Sequence, residues 1–182
     1  VSTATQDMLT GKDVSARPWF KSGLHEAHVG DVHEAKLLAS MLPRQDDGEP
    51  LRFVDFAAPV RGSGGEVIGV LGAHADWVWV GEIIAAVRSD TARNEGVRVF
   101  ILNKDGLVIH RPKGPEGHIE PTRASALPAT PTLVNWADGE AYLTAATAIQ
   151  HPDARVRLGW TIVIRQPEAQ AFHAALEVRH TM

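Results

Sequence analysis

Histidines and carboxylates are concentrated in residues 25–34, which read HEAHVGDVHE and contain three histidines, two glutamates and one aspartate. Imidazole and carboxylate groups are common zinc ligands. His25 and His28 are three residues apart, so a helix would place both on one face. The zinc-protease pattern HExxH needs one more residue between its histidines, and Gly30 would interrupt a helix before His33. The spacing therefore favours surface and pocket residues, with a metal site as the minor alternative.

Other segments lack the pattern of a catalytic centre. The 182 residues include no cysteine, which excludes a thiol nucleophile and disulfides. None of the serines lies in a GxSxG motif. The glycine-rich segment RGSGGE (61–66) lacks the lysine and the following helix of a phosphate-binding loop, which indicates a turn. The net charge of −4 disfavours a nucleic-acid partner, because such proteins concentrate positive charge. We therefore expect no enzymatic activity and no cofactor.

The segment RPWF (17–20) has the residue types of a ligand-binding element. The guanidinium of Arg17 can hold a carboxylate through two parallel hydrogen bonds. Trp19 and Phe20 can form an apolar wall beside it. In the alternative interpretation, Trp19 packs in a core while Arg17 is solvated. The local pattern leaves both interpretations open.

The hydrophobic pattern of the first half predicts the elements that would position these residues. Residues 1–5 are typical of a strand, and 16–27 of a short helix. Residues 32–43 fit either a helix or a strand. Two apolar runs flank RGSGGE, with alternating residues in the first run, and this predicts a hairpin over 51–77.

A helix and a second hairpin-centred unit follow. Helical spacing of apolar residues predicts a helix that begins at Trp77 and frays near RSDTARNEG (88–96). The segment VRVFILNKDGLVIHRP (97–112) places a turn between two apolar runs, which predicts a hairpin. The remaining elements are, in order, a loop, two strands and a helix, over residues 113–131, 140–149, 159–166 and 167–182. This order predicts an α+β fold with antiparallel sheets.

Several segments occur in an order typical of one domain family. They are GKDVSARPWF (11–20), VGDVHEA (29–35), FVDFAAPV followed by GEVIGVLGAHADW (53–77), VFILNKDGLVIHRP (99–112) and GWTIVIRQP (159–167). Each alone is a weak signal, and the ordered set is more specific. The set resembles the extracytoplasmic double Cache domain (dCache, PAS-like) of bacterial transmembrane receptors, and it covers most of the chain.

The resemblance implies two PAS-like modules with antiparallel sheets, joined by a helix. The implied parts are a membrane-distal ligand-binding module, a linking helix, a membrane-proximal module and a C-terminal helix leading toward a membrane span, over 1–76, 77–96, 97–166 and 167–182. The long N-terminal helix that usually precedes both modules would be missing from this fragment.

The resemblance also implies where a ligand binds. In amino-acid-binding members an Arg-x-Trp-Tyr element holds the ligand carboxylate, and Arg17, Trp19 and Phe20 match it with Phe in place of Tyr. His74 lies near the position of an aspartate that holds the amino group in those members, and Asp76 follows two residues later. An organic acid is therefore as compatible as an amino acid. The expected ligand-binding residues are Arg17, Trp19, Phe20, Asp31, His33, Glu34, Phe53, Asp55, His74 and Asp76.

The resemblance thus implies a sensing domain that binds a small molecule and has no catalysis of its own. We expect the periplasmic portion of an inner-membrane receptor, anchored through flanking segments and dimeric at full length, with no metal. The cytoplasmic output would be a diguanylate cyclase (GGDEF) or a histidine kinase of a two-component system. The alternatives are a cytoplasmic PAS-type binding module, a His-rich metal-binding protein, and a domain that binds a periplasmic protein.

Overall fold

The protein forms two compact units in this computed structural model, which describes residues 10–34, 50–114, 117, 127–153, 156 and 158–173. The units comprise Val1–Val78 with Pro152–Val156, and Trp79–His151 with Arg157–Met182. Helices and antiparallel sheets make up the described part of the chain, so the predicted α+β class is confirmed. The strand predicted over 1–5 lies outside the described residues, as do the later parts, 35–43 and 174–182, of the elements predicted over 32–43 and 167–182.

The first unit is built around the predicted hairpin. Its described elements are α1 (Pro18–Gly23), β1 (His28–Val29), β2 (His33–Glu34), β3 (Arg52–Arg61) and β4 (Val67–Asp76). β3 and β4 pair antiparallel along nearly their whole lengths. β1 and β2 also pair antiparallel with β3. Since β4 occupies one edge of β3, both short strands lie on the other edge.

A glycine allows α1 to lie directly on this sheet. A Cβ added at Gly23 would be 2.5 Å from Val70 Cγ1 and 2.9 Å from Ala57 Cβ, so a larger residue could not approach so closely. Pro18 begins the helix, where its missing N–H breaks no intrahelical bond. The sequence therefore fixes both the start of α1 and the distance between α1 and the strands.

Strand alternation gives this sheet two chemically different faces. Phe53, Asp55 and Ala57 of β3 share the face that α1 covers. Directly opposite them on β4, and therefore on the same face, are Asp76, His74 and Gly72. The opposite face carries Phe56 and Leu71, which are both exposed. The polar groups of the hairpin thus lie under α1, and exposed apolar groups lie on the other side.

The second unit contains a larger antiparallel sheet. From Val78 onward the described elements are α2 (Val78–Val87), α3 (Asp90–Asn94), β5 (Arg98–Leu102), β6 (Val108–His110), β7 (Thr132–Asn135), β8 (Ala141–Ala148), β9 (Thr161–Pro167) and α4 (Glu168–Ala171). The strand order in the described sheet is β6-β5-β9-β8-β7. The predicted hairpin and the two later strands correspond to β5–β6, β8 and β9, whereas β7 was not predicted.

The single helix predicted over 77–96 is two helices in the structure. α2 ends at Val87, and α3 begins at Asp90 after Ser89, whose backbone is extended (φ −62°, ψ 157°). Ser89 Oγ accepts a hydrogen bond from the Ala92 N–H at 3.1 Å and so caps the start of α3. The fraying that the apolar spacing predicts near 88–96 coincides with this break, whereas the second helix that Ser89 caps was not predicted.

A buried arginine lies beside the aromatic core of the second unit. Phe100 and Trp136 are buried there, 0% and 3% exposed. Arg165 is only 1% exposed. Its Cζ lies 4.2 Å from the ring centre of Trp136 and 4.1 Å from that of Tyr142. A planar guanidinium stacks on such rings far better than an ammonium does.

We expect Arg165→Lys to lower the free energy of unfolding by about 2 kcal/mol, because the stacking over the rings is lost while the charge stays buried. Urea denaturation followed by tryptophan fluorescence measures this. Arg98→Lys is the matched control, since Arg98 lies directly opposite Arg165 on β5 and is only partly buried. Equal losses in both variants would contradict a specific role for the aromatic contacts.

His110 is a partly buried titratable group of the same unit. It lies opposite Ile101, and a Cβ added at Gly81 of α2 would be 3.5 Å from its Cε1. Burial lowers the pKa of His110 from its ordinary value of 6.5 to about 4, because the imidazolium form loses hydration. The native unit therefore holds this histidine neutral.

We expect His110 to make the protein less stable in mild acid. Its folded pKa lies below the unfolded value, so its stabilisation is complete above pH 6.5 and is lost as the pH falls toward 4. The full effect is on the order of 2 kcal/mol after allowing for partial exposure. Urea denaturation at several pH values measures it, and His110→Gln should flatten the dependence. The exposed His25→Gln is the control; an unchanged dependence in His110→Gln would refute the assignment.

Candidate functional site

The side chain of Trp19 lies between α1 and β4. A Cβ added at Gly72 would be 2.7 Å from Trp19 Cζ3, so the indole occupies the space that a side chain at residue 72 would need. Two residues along β4, on the same face, the His74 ring meets Trp19 edge-on with 5.4 Å between ring centres. Trp19 is half-buried rather than fully enclosed. The aromatic element of RPWF therefore borders a polar group.

Asp55 is the centre of the polar contacts on this face. It is 6% exposed, yet both of its carboxylate oxygens face histidines. His74 Nδ1 lies 2.6 Å from Asp55 Oδ1, and His33 Nε2 lies 3.4 Å from Asp55 Oδ2. Because a carboxylate only accepts, His74 must carry its proton on Nδ1. One buried carboxylate thus orients two imidazoles from different strands.

His33 has oxygen atoms near both ring nitrogens. Its Nδ1 is 3.2 Å from the backbone oxygen of Asp31, and its Nε2 faces Asp55. A neutral imidazole has one N–H and can donate to one of these oxygens, whereas an imidazolium can donate to both. About half of the His33 side chain is exposed, 48%. Both ring nitrogens of His33 therefore face oxygen atoms at the edge of the site.

Aromatic rings complete the surroundings of His74. Phe53 lies 6.2 Å from His74 between ring centres, and Phe20 lies 5.8 Å from Trp19. We call the set Trp19, His33, Phe53, Asp55 and His74 the α1-facing cluster. Its rings form apolar walls, and its two imidazoles provide polar groups.

Arg17 is the residue directly before α1, two positions before Trp19 of the cluster. It is half-buried, with extended backbone, and its carbonyl accepts a hydrogen bond from the Lys21 N–H at 3.1 Å. Among the residues that the structure describes, none pairs with the Arg17 guanidinium by hydrogen bond or salt bridge. Within the described part of the chain, its donors therefore have no acceptor, and Trp19 follows two residues later.

The other predicted site residues have different surroundings. Asp31 Oδ1 accepts a hydrogen bond from the Val32 N–H at 2.8 Å. Asp76 lies on the face of the α1-facing cluster, but it is exposed and accepts from the Val78 N–H at 3.0 Å. Glu34 is exposed and follows His33 in β2, so it points to the opposite face. The structure therefore does not bring Glu34 together with the cluster.

Gly72 was not singled out from the sequence, although it positions Trp19. A glycine inside a strand often marks a close approach by another group, and that was the available signal in GVLGAHAD (69–76). The partner could not be inferred, because it lies on a helix about fifty residues earlier in the chain.

An apolar pocket of about 240 Å³ lies elsewhere on the first unit. Phe56 and Leu71 place most of it on the face opposite the α1-facing cluster. Its lining residues are Ala27, His28, Val29, Phe56, Ala57, Ala58, Leu71, Ala73, Asp153 and Val156. Arg17, His33, Asp55 and His74 do not line it. The polar chemistry and this pocket are therefore separate features.

In the described ranges, no group of three or more histidines, aspartates or glutamates is arranged to hold a metal ion. No described helix is both long and apolar enough to cross a membrane.

Solved structures with the same fold are sensory domains of bacterial receptors. The ligand-binding domain of the Pseudomonas aeruginosa amino-acid chemoreceptor PctB, in complex with L-Arg, has a TM-score of 0.56 and 15% identity; the match covers 100% of this chain and 64% of the chain in that structure. The ligand-binding domain of the Pseudomonas fluorescens chemoreceptor CtaA, in complex with L-isoleucine, has a TM-score of 0.53 and 18% identity, with 91% and 63% covered.

A third match is a domain of a sensory box/GGDEF family protein from Vibrio parahaemolyticus, with a TM-score of 0.50 and 15% identity, covering 87% of this chain and 61% of that one. This chain spans less than two thirds of each of these structures. No protein-family model and no curated protein matches the sequence. At these identities the comparison establishes the fold alone: the chain has the architecture of the ligand-binding domains of PctB and CtaA.

Gly72→Ala should destabilise the first unit, because the new methyl group overlaps the Trp19 ring. We expect a loss of about 1–3 kcal/mol, as for other overpacked sites. Gly69→Ala is the matched control on the same strand, since no atom lies within 4 Å of its added Cβ. Urea denaturation measures stability, and near-ultraviolet circular dichroism reports the indole environment. Similar behaviour of the two variants would show that Trp19 does not rest on Gly72.

Proposed function

We propose that this chain is the extracytoplasmic ligand-sensing part of a bacterial transmembrane receptor, and that its first unit binds a small carboxylate. The single observation that carries the ligand class is the half-buried guanidinium of Arg17, which pairs with no residue in the described part of the chain and precedes Trp19 by two positions. A half-buried arginine without an acceptor among the described residues is suited to a planar anion, which accepts two parallel hydrogen bonds from it.

The walls of the site support a ligand of small size. Trp19 and Phe53 flank His74, so apolar ligand atoms would contact rings while polar atoms meet imidazole. The proposed site comprises Arg17, Trp19, Phe20, Asp31, His33, Phe53, Asp55, His74 and Asp76. Glu34, which points to the other face, lies outside it.

The compared structures support a ligand with a carboxylate group. PctB was solved with L-Arg and CtaA with L-isoleucine. Both ligands are amino acids and share the carboxylate that Arg17 could hold. An amino acid and an organic acid are therefore the two ligand classes that we propose for this site.

The proposed signalling mechanism is a population shift. A ligand that binds one arrangement of the sensing domain better than another shifts the balance between them. We propose that the full receptor is an inner-membrane homodimer with this domain in the periplasm, and that the binding domain itself performs no chemistry. The proposed output is a diguanylate cyclase or a histidine kinase; the fold likeness to a domain of a GGDEF family protein supports the former.

A thermal-shift screen of amino acids and organic acids tests this proposal. A ligand at one hundred times its Kd stabilises the folded protein by about 2.7 kcal/mol, which raises Tm by roughly 5–10 °C for a chain of this size. We expect at least one carboxylate to raise Tm, and Arg17→Ala to abolish the shift.

Lys21→Ala is the matched control, because it removes an exposed cation from the same helix. It should leave the ligand-induced shift intact. A shift that survives Arg17→Ala, or that Lys21→Ala removes equally, would place the ligand elsewhere. The absence of a shift from every carboxylate would reject the proposed ligand class.

A further inference from the structure

We infer that the second unit contains a cation-binding site, the aromatic cage formed by Phe100, Trp136 and Tyr142, and that the guanidinium of Arg165 occupies this cage as a built-in ligand. The chemical class of free ligand that fits the cage is an alkylguanidinium ion. This inference goes beyond the proposed function, because it concerns the second unit and depends neither on Arg17 nor on a carboxylate.

The three rings of the aromatic cage surround the guanidinium carbon of Arg165. Its Cζ lies 4.1 Å from the ring centre of Tyr142, 4.2 Å from that of Trp136 and 5.3 Å from that of Phe100. All three distances are within the range of about 6 Å over which a ring attracts a cation. Arg165 is 1% exposed, so water does not screen this attraction. Cages of this kind also recognise free cations, such as quaternary ammonium ligands.

Strand pairing brings these groups to one face of the sheet. Arg165 of β9 lies opposite Thr144 of β8. Tyr142 precedes Thr144 by two residues and therefore shares its face. Phe100 of β5 lies opposite Val163, which precedes Arg165 by two residues, so this ring is on the same face. The rings thus reach the guanidinium from strands on both sides of β9.

Two walls of the aromatic cage have supports of their own. The Trp136 Nε1–H donates to Thr144 Oγ1 at 3.0 Å, and Thr144 is fully buried. The Tyr142 O–H donates to Asp138 Oδ2 at 2.7 Å. Neither hydrogen bond involves Arg165. Both rings should therefore keep their positions when the guanidinium is removed, which leaves a preformed space for a cation.

Arg165 keeps the aromatic cage closed to free ligands. β9 pairs with β5 on one side and with β8 on the other, so the backbone holds this side chain at the cage. An attached group competes with a free one at an effective concentration on the order of millimolar or higher. We therefore expect the wild-type protein to bind no alkylguanidinium ion at this site.

Complementation of Arg165→Ala by ethylguanidinium tests the inference. The alanine keeps Cβ, and ethylguanidinium supplies the atoms beyond Cβ that the substitution removes. The Tm of the variant should rise and saturate with concentration, by roughly 3–6 °C at about ten times the Kd of the ion. Ethylurea and ethylammonium are the matched controls at equal ionic strength. Both should have little effect, because the first lacks the charge and the second lacks the planar group.

The experiment stays decisive if Arg165→Ala alone does not fold. A ligand that binds only the folded state shifts the equilibrium toward that state. Ethylguanidinium that is present while the variant is diluted from urea should then restore the near-ultraviolet circular dichroism of a folded protein. Dilution from urea also gives the ion access to a site that is closed in the folded chain.

Two further variants locate the binding. Arg165→Met fills the aromatic cage with a flexible neutral side chain, so ethylguanidinium should not raise its Tm. The double variant Arg165→Ala with Tyr142→Leu lacks one wall, and it should bind the ion at least fivefold more weakly than Arg165→Ala does. The wild-type protein, in which the cage is filled, should show no saturable rise.

Three results would overturn the inference. An equal rise of Tm in the wild-type protein and in Arg165→Ala would place the ion elsewhere. An equal effect of ethylguanidinium and ethylurea would show that the rings do not select a cation. The absence of any gain for Arg165→Ala, both in melting and in refolding, would show that the cage is not a cation site. None of these results bears on the carboxylate proposed for the first unit, so the two proposals are tested separately.

Discussion

The register between β3 and β4 is the constraint on which the candidate site depends. Side chains alternate between the faces of a strand, so a slip of one residue would move Asp55 from the α1 side to the opposite side. The observed register places Asp55 opposite His74 and Ala57 opposite Gly72. These two pairings determine where the histidine is held and where the indole of Trp19 can lie. The glycine-rich turn that closes the hairpin therefore influences chemistry at its far end.

The sequence allowed the hairpins to be predicted, because turn residues and apolar runs are local signals. RGSGGE and NKDG both lie in turns between paired strands. Ser89 Oγ accepts a hydrogen bond from the Ala92 N–H where α3 begins, and β7 is a short strand whose residues are mostly exposed. Such features arise from contacts within a unit, and apolar spacing does not encode them.

In the candidate site, too, the residues of a local motif could be predicted, whereas the roles that depend on contacts between distant segments could not. The RPWF segment suggested Arg17 and Trp19 through residue type alone. The roles of Asp55 and Gly72 required knowledge of which strand residues are opposite, and of which helix covers them. Asp55 was predicted as a ligand contact, and the structure instead directs both of its oxygens to histidines. Whether the predicted residues bind a ligand remains a proposal.

Two arginines near aromatic rings illustrate how burial decides the role of a residue type. Arg165 is enclosed by Trp136 and Tyr142 and belongs to the core of the second unit. Arg17 directly precedes α1 and is half-buried. The local motif around Arg17 could not distinguish these situations, which is why a structural role and a binding role both remained open from the sequence.

The contact between Gly72 and Trp19 has an evolutionary consequence. The indole of Trp19 occupies the space beside Gly72 that a larger side chain at residue 72 would need. A homologue with a side chain at the first position must then have a smaller ring or a shifted helix at the second. Substitutions at these two positions are therefore coupled, and an alignment of homologues should show them varying together although they are far apart in the chain. The lack of a side chain at residue 72 therefore restricts the accepted substitutions as strongly as the indole at residue 19 does.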